Sequence, residues 1–129
     1  MTTKYRILVV DDEEPMRSVV GESLRLQGYD VDEADDGDSA LDLLQQQHYD
    51  LMTLDLKMPR VDGLTVLEKL RNLPHQPDVI MVSGYPDLTM ELRCKELGAK
   101  DFVSTPFVGT SLLDSVRTVL QSKSADKLE

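Results

Sequence analysis

The sequence predicts an α/β domain built from five β-α units, with a doubly wound, five-stranded parallel sheet in the order 2-1-3-4-5. Three observations carry this. Short apolar runs, such as Ile7-Leu8-Val9-Val10 and Val79-Ile80-Met81-Val82, recur along the chain. Each is followed by a stretch with apolar residues at helical spacing. The connections are short and rich in Asp, Gly and Pro. Runs without alternation suit strands buried on both faces, and strands that alternate with helices make a parallel sheet covered on both sides.

The elements follow in order. Tyr5-Arg6-Ile7-Leu8-Val9-Val10 is the first strand, and Asp11-Asp12-Glu13-Glu14-Pro15 follows at once. Pro15 suits the first turn of a helix, and acids there favour the positive end of its dipole. Met16, Val19, Val20 and Leu24 form that helix's apolar stripe, and Gly28 stops it in a left-handed cap. Val31 and Ala34 alternate with acids in a second strand; Asp35-Asp36-Gly37-Asp38 turns into a helix carrying Ala40, Leu41 and Leu44. The third strand, Leu51–Asp55, ends in an acid, and a Met58-Pro59 turn leads to a helix over 63–73 with Leu64, Leu67 and Leu70 on one face. The fourth strand ends at Ser83-Gly84-Tyr85-Pro86, and its helix runs to about Leu97, capped by Gly98. Asp101-Phe102-Val103 is a short fifth strand, followed by Ser104-Thr105-Pro106-Phe107. The last helix, to about Gln121, carries Leu112, Leu113, Val116, Val119 and Leu120. The domain is therefore expected over 1–122. Residues 123–129 read as a polar, frayed tail, and Leu128-Glu129 is compatible with a cloning remnant. Right-handed crossovers leave few arrangements for five such strands, and the flavodoxin-like order is favoured.

A chain of 129 residues with 40% hydrophobic content is long enough for one domain with a real core. No apolar run approaches the roughly 20 residues of a spanning helix, so no membrane partner is expected. Residues 1–4 carry no signal-peptide pattern, and the single Cys94 precludes an internal disulfide; a cytoplasmic location is expected. The net charge of -10 disfavours direct nucleic-acid binding.

In a parallel sheet every strand's carboxyl end lies on one edge, and ligands bind there at the switch point between strands one and three. Asp11 and Asp12 follow strand one, Asp55 ends strand three, Ser83 ends strand four and Thr105 follows strand five. Each acid alone could be a cap or turn residue; three at one switch point are harder to explain that way. At ~4 Å and an effective dielectric of ~20, each carboxylate pair costs roughly 4 kcal/mol before screening. A proton, a nearby cationic side chain or a divalent metal must offset this. An oxygen-only donor set suits Mg²⁺ or Mn²⁺ and not zinc. A metal-bound carboxylate beside a hydroxyl is a plausible phosphoryl acceptor, with the Ser83 hydroxyl and the Gly84 N–H available to phosphoryl oxygens. His48 and His75 lie away from this edge and read as ordinary surface residues.

These residues closely resemble the response-regulator receiver domain of two-component signalling, as represented by CheY-like proteins. The carriers are Val9-Val10-Asp11-Asp12-Glu13, Asp55-Leu56-Lys57-Met58-Pro59 with Asp62-Gly63, Ser83-Gly84, Gly98-Ala99, and Phe102 with Pro106-Phe107. The resemblance covers residues 5–121. It implies that Asp55 accepts phosphate from a sensor histidine kinase or a histidine phosphotransfer protein. It also implies that Asp11, Asp12, Asp55 and the main-chain carbonyl of Lys57 bind Mg²⁺. Ser83 then resembles the switch hydroxyl, Phe102 the coupled aromatic, and Thr105-Pro106 a position that is usually cis.

One position departs. The family has a lysine before the proline of the fifth loop, and here it is Thr105. Two consequences are expected: greater dependence of the acidic site on metal, and slower phosphorylation or weaker switching. Lys57 is better placed than Lys100 to reach over the site. On the fourth helix Met90, Cys94 and Leu97 share one sector, with Leu88 and Leu92 nearly opposite. The resemblance makes Leu88 and Leu92 part of a face, formed by the fourth helix, fifth strand and fifth helix, that serves an output partner or a homodimer; exposed single leucines are also common on ordinary surfaces. Two other readings compete. A degenerate receiver would bind protein without using phosphate, which Thr105 favours and the intact acids disfavour. An enzyme on the same fold would need a glycine-rich first loop or a cap domain, and Asp-Asp-Glu-Glu and the short connections offer neither.

Overall fold

The computed structural model describes residues 4–84, 87–105 and 111–128. The elements are β1 (Arg6–Val10), α1 (Glu14–Leu26), β2 (Asp30–Ala34), α2 (Gly37–Gln46), β3 (Leu51–Asp55), α3 (Gly63–Leu70), β4 (Asp78–Ser83), α4 (Leu88–Glu96), β5 (Asp101–Ser104) and α5 (Ser111–Leu128). All strands are parallel, in the order β2-β1-β3-β4-β5. The expected flavodoxin-like arrangement is thus the observed one.

Side chains on the central strands divide by parity, as the two-residue pleat requires. Leu8, Val10, Met52, Leu54 and Met81 face one way, against Ala40 and Leu44 of α2, Val66, Leu67 and Leu70 of α3, and Cys94 of α4. Ile7, Val9, Leu51, Ile80 and Val82 face the other way, against Val20 and Leu24 of α1 and Leu112, Val116 and Leu120 of α5. Burial on both faces explains the unbroken apolar runs of β1 and β4. Each fully buried Val, Leu or Ile contributes about 1.5–3 kcal/mol.

Local signals set the helix starts. Asp36, Asp62 and Asp87 are N-caps whose carboxylates accept from Ser39 N (2.7 Å), Thr65 N (2.9 Å) and Thr89 N (2.9 Å). Gly28 and Gly98, just beyond α1 and α4, take the positive φ expected of glycine caps.

Three expectations need correction. Val19 does not belong to the packed stripe of α1 and is 59% exposed. Met16, Val20 and Leu24 step by four residues along one face, and Val19 lies 100° from Val20. α3 ends at Leu70, three residues short of the expected Leu73. A tighter turn with N–H bonds from Arg71, Asn72 and Leu73 to the carbonyls three residues back closes it before Pro74. The last helix does not stop near Gln121: α5 continues to Leu128. Residues 122–128 contain no glycine or proline to stop it. The Lys123 ammonium anchors the segment to the sheet's lower edge, 3.0 Å from the Asp50 carbonyl and 4.0 Å from the Asp78 carboxylate.

That lower edge is also fixed by Tyr49, which is buried and donates its hydroxyl to Asp32 Oδ2 at 2.6 Å. Burial, reinforced by this bond, pushes the phenol well above its ordinary range. The Arg6 guanidinium covers the Tyr49 ring at 5.2 Å and pairs with Asp32 at 3.1 Å.

Candidate phosphoacceptor site

The carboxyl ends of β1, β3 and β4 meet at the upper edge. Asp11 follows β1 directly and is only 7% exposed; its Oδ1 accepts from Glu13 N at 2.9 Å. Asp12 points outward and is exposed. Asp55 ends β3 half-buried, with Oδ1 accepting from Lys57 N at 3.3 Å. Carboxylate oxygens of Asp11, Asp12 and Asp55 lie within 4.8 Å of one another. Asp11 and Asp55 border a cleft of about 150 Å³ that Ser83, Gly84, Lys57 and Thr105 also line.

Crowding like charges in a half-buried cleft disfavours ionisation. Burial, followed by the Asp11 charge and a smaller effect of Asp12, pushes the Asp55 carboxyl up to about 7. Burial also raises Asp11, against the opposing Glu13 N–H bond.

Gly63 makes this geometry possible. It opens α3 directly against the end of β3, and its N–H donates to the Leu56 carbonyl at 3.0 Å. A Cβ at this position would sit 2.3 Å from the Asp55 carbonyl oxygen and 2.9 Å from Leu56 Cα. Both contacts are with backbone, so only glycine lets the helix approach this closely.

On the far wall, Ser83 is the last residue of β4 and is 2% exposed. Its carbonyl accepts from Thr105 N at 2.8 Å, which pins the start of the fifth loop to the end of β4. Thr105 therefore lines the cleft at the position where the family's lysine was expected. Among the described residues Lys57 is the only cation lining the cleft, while Lys100 lies at the opposite edge beside Asp78 and Lys123. Phe102, on β5, is half-buried beside the α4-side core. Pro106, Phe107 and the Thr105-Pro106 bond lie outside the described residues.

Arg17 is a feature that the sequence did not reveal. Its Nη1 donates to the Asp11 main-chain carbonyl at 2.8 Å and its Nε lies 3.5 Å from Glu33. An arginine one turn into an amphipathic helix reads as solvated, and only the fold brings it to the carbonyl of the acidic loop. Met16 and Glu13 also line the cleft. On α4, Cys94 is buried, Met90 and Leu97 pack inward, and Leu88 and Leu92 stand 71% and 51% exposed, as expected.

A sequence profile described as the response regulator receiver domain matches residues 7–117. The chain belongs to the response-regulator receiver family. Relatives of this receiver include a probable transcriptional regulator ycf27 of Porphyridium aerugineum, 38% identical over 118 residues. That match covers 92% of this chain and 49% of the relative. The response regulator MprA of Mycobacterium sp. (strain KMS) is 35% identical over 122 residues, covering 95% of this chain and 53% of that protein. The receiver thus spans about half the length of these curated relatives. Its fold matches a CheY-like receiver domain from Methanospirillum hungatei JF-1 with a TM-score of 0.90 and 27% identity, covering 96% of this chain and 99% of that one. The chemotaxis protein CheY4 of Vibrio cholerae gives 0.86 and 26%, covering 91% and 99%. Receivers hold Mg²⁺ in an acidic pocket and work with histidine kinases and output domains; this chain has a cluster of three aspartates, Asp11, Asp12 and Asp55.

Proposed function

We propose that this receiver accepts a phosphoryl group on Asp55 from a histidine kinase or histidine phosphotransfer protein, in a Mg²⁺-dependent reaction, and thereby switches a protein-interaction surface. The observation that carries the reading is the clustering of the Asp11, Asp12 and Asp55 carboxylates at the rim of one small cleft that Asp11, Asp55, Ser83 and Gly84 line.

The donor set fits the metal: three hard carboxylates within a few ångströms, open to solvent through Asp12, suit an ion that keeps several waters. Asp11, Asp12, Asp55 and the Lys57 carbonyl would hold it. When bound, Mg²⁺ supplies positive charge that offsets the carboxylates and the transferring phosphoryl oxygens. The protein's own groups do the rest. An Asp55 carboxylate oxygen attacks phosphorus in line, a P–O bond forms and the donor's P–N bond breaks. The electron pair returns to the imidazole nitrogen, which takes up a proton. The Gly84 N–H and the Ser83 hydroxyl bind phosphoryl oxygens. Asp11, buried and held by Glu13 N, keeps its carboxylate aimed into the cleft.

Thr105 supplies a hydroxyl and no charge. Lys57 is the cation that lines the cleft among the described residues. Phosphorylation is therefore slower, or switching weaker, than with a lysine in the fifth loop. Leu88 and Leu92 belong to the surface that the switch presents to an output partner or a second copy, with Phe102 coupled to it. The receiver is expected to work in the cytoplasm; no helix among the described residues is long and apolar enough to cross a membrane.

A second reading, a phosphate-independent protein-binding module, draws on Thr105 alone. Intact-mass analysis after incubation with Mg²⁺ and a small-molecule phosphodonor separates the two. A phosphoryl adduct that requires Mg²⁺ and is lost in Asp55→Asn upholds the proposal. No adduct in a protein that binds Mg²⁺ favours the module, and an adduct regained in Thr105→Lys would assign the loss to that residue.

A further inference from the structure

The chain has two histidines, His48 and His75. One lies just before β3 and the other just before β4, so both are at the sheet's lower edge, away from Asp55. Their rings meet edge to face, with centroids 5.3 Å apart and planes at 74°. Both are exposed and border a cavity of about 220 Å³, together with Gln45, Gln46 and Pro74.

That spacing has a chemical meaning. With a metal–nitrogen bond of about 2.0–2.1 Å, a ring centre about 1.1 Å behind the nitrogen and a tetrahedral angle at the ion, two imidazoles on one metal place their centroids roughly 5.2 Å apart. The observed separation is close to that value, and rotation of the exposed rings out of their edge-to-face contact would turn one nitrogen of each toward a shared ion. The backbone beneath them is braced. Tyr49, next to His48, is buried and bonded to Asp32. Gln76, next to His75, donates its side-chain amide to the Arg71 and Leu73 carbonyls at 3.2 and 3.3 Å. Two imidazoles with no carboxylate in the cavity lining suit borderline ions, Zn²⁺, Ni²⁺ or Cu²⁺, and not Mg²⁺.

We propose that His48 and His75 form a two-imidazole site for a divalent transition-metal ion at the pole opposite the acidic cleft, with water completing the coordination. The site stands independently of the phosphoryl chemistry. The test uses Cu²⁺ titrated into the protein in excess Mg²⁺, which occupies the acidic cluster, read by calorimetry and electron paramagnetic resonance. His48→Gln and His75→Gln are compared; both residues are exposed, and thermal melts verify folding. The expected result is one Cu²⁺ per chain with hyperfine coupling to two imidazole nitrogens. Loss of an outer-shell partner alone costs about 10–100-fold in affinity, so each variant should bind about tenfold or more weakly and show one nitrogen. Unchanged affinity in either variant, coupling to a single imidazole in the parent protein, or an oxygen-only signal would overturn the proposal. The ring pair would then be an aromatic contact between two loops and nothing more.

Discussion

Replacing Asp55 by asparagine should stabilise the metal-free protein, and the gain should depend on pH. Asp55 ordinarily ionises near 3.8 and in the folded cleft near 7. Between these values the folded state holds a proton that the unfolded chain has released, so folding stability falls as pH rises. Below about pH 4 both states are protonated and the penalty vanishes; above about pH 7 it is complete. The full shift corresponds to at most about 4 kcal/mol. Solvent reaches the half-exposed carboxylate, and screening reduces this to about 1–2 kcal/mol. Asparagine keeps an oxygen for the Lys57 N–H bond and removes the charge facing Asp11. In EDTA at pH 8 the variant should melt higher by about 3–8 °C, taking about 3–4 °C per kcal/mol for a domain of this size. At pH 4 the two proteins should melt within about a degree of each other. Adding Mg²⁺ at pH 8 should narrow the gap, because the ion stabilises the parent protein more. An equal or lower melting temperature for the variant at pH 8 would refute the claim that charge crowding destabilises the cleft.

Gly63→Ala drives a methyl group against the Asp55 carbonyl and the Leu56 backbone; it should cost about 2 kcal/mol or more in urea unfolding and abolish the phosphoryl adduct, whereas a fully active variant would mean that α3 is free to retreat. Tyr49→Phe leaves Asp32 with one fewer donor and should cost about 1–2 kcal/mol, measured by the same unfolding curves, with no effect on phosphorylation at the opposite edge. Leu88→Asp and Leu92→Asp should leave the melting temperature within about 2 °C and weaken self-association or partner capture in analytical ultracentrifugation or pull-down; a large drop in stability would place them in the core.

The convergence of Asp11, Asp55, Ser83 and Thr105 was legible in the sequence because it depends on topology alone. Once β-α alternation implies a parallel sheet, strand ends share an edge, and the last residue of each strand is known to within a position or two. The packed stripe of α4 was legible for a similar reason, since 100° steps separate Cys94 from Leu92. What escaped depends on rotamers and on tertiary ties. Nothing local tells that Arg17 turns back to the Asp11 carbonyl, or that Lys123 of α5 reaches the Asp50 carbonyl. The meeting of His48 and His75 depends on how two loops leave neighbouring strands, which neither loop encodes by itself.

Thr105 brings the two kinds of information together, because the position has two mechanical roles that the structure separates. A lysine there would bring charge to the phosphoryl group. The backbone of the same residue also ties the fifth loop to β4, through Thr105 N–H to the Ser83 carbonyl at 2.8 Å. Under the proposed function the first role would go with the side chain, whereas the backbone bond does not depend on it. A displacement of Ser83 toward a phosphoryl oxygen would still pull on the fifth loop through this bond, while the electrostatic pull on the loop would be absent. Under the proposed function the substitution would remove part of the driving force and leave the linkage. On this basis Thr105→Lys should raise the extent or rate of switching per phosphoryl group and leave the path of the motion unchanged.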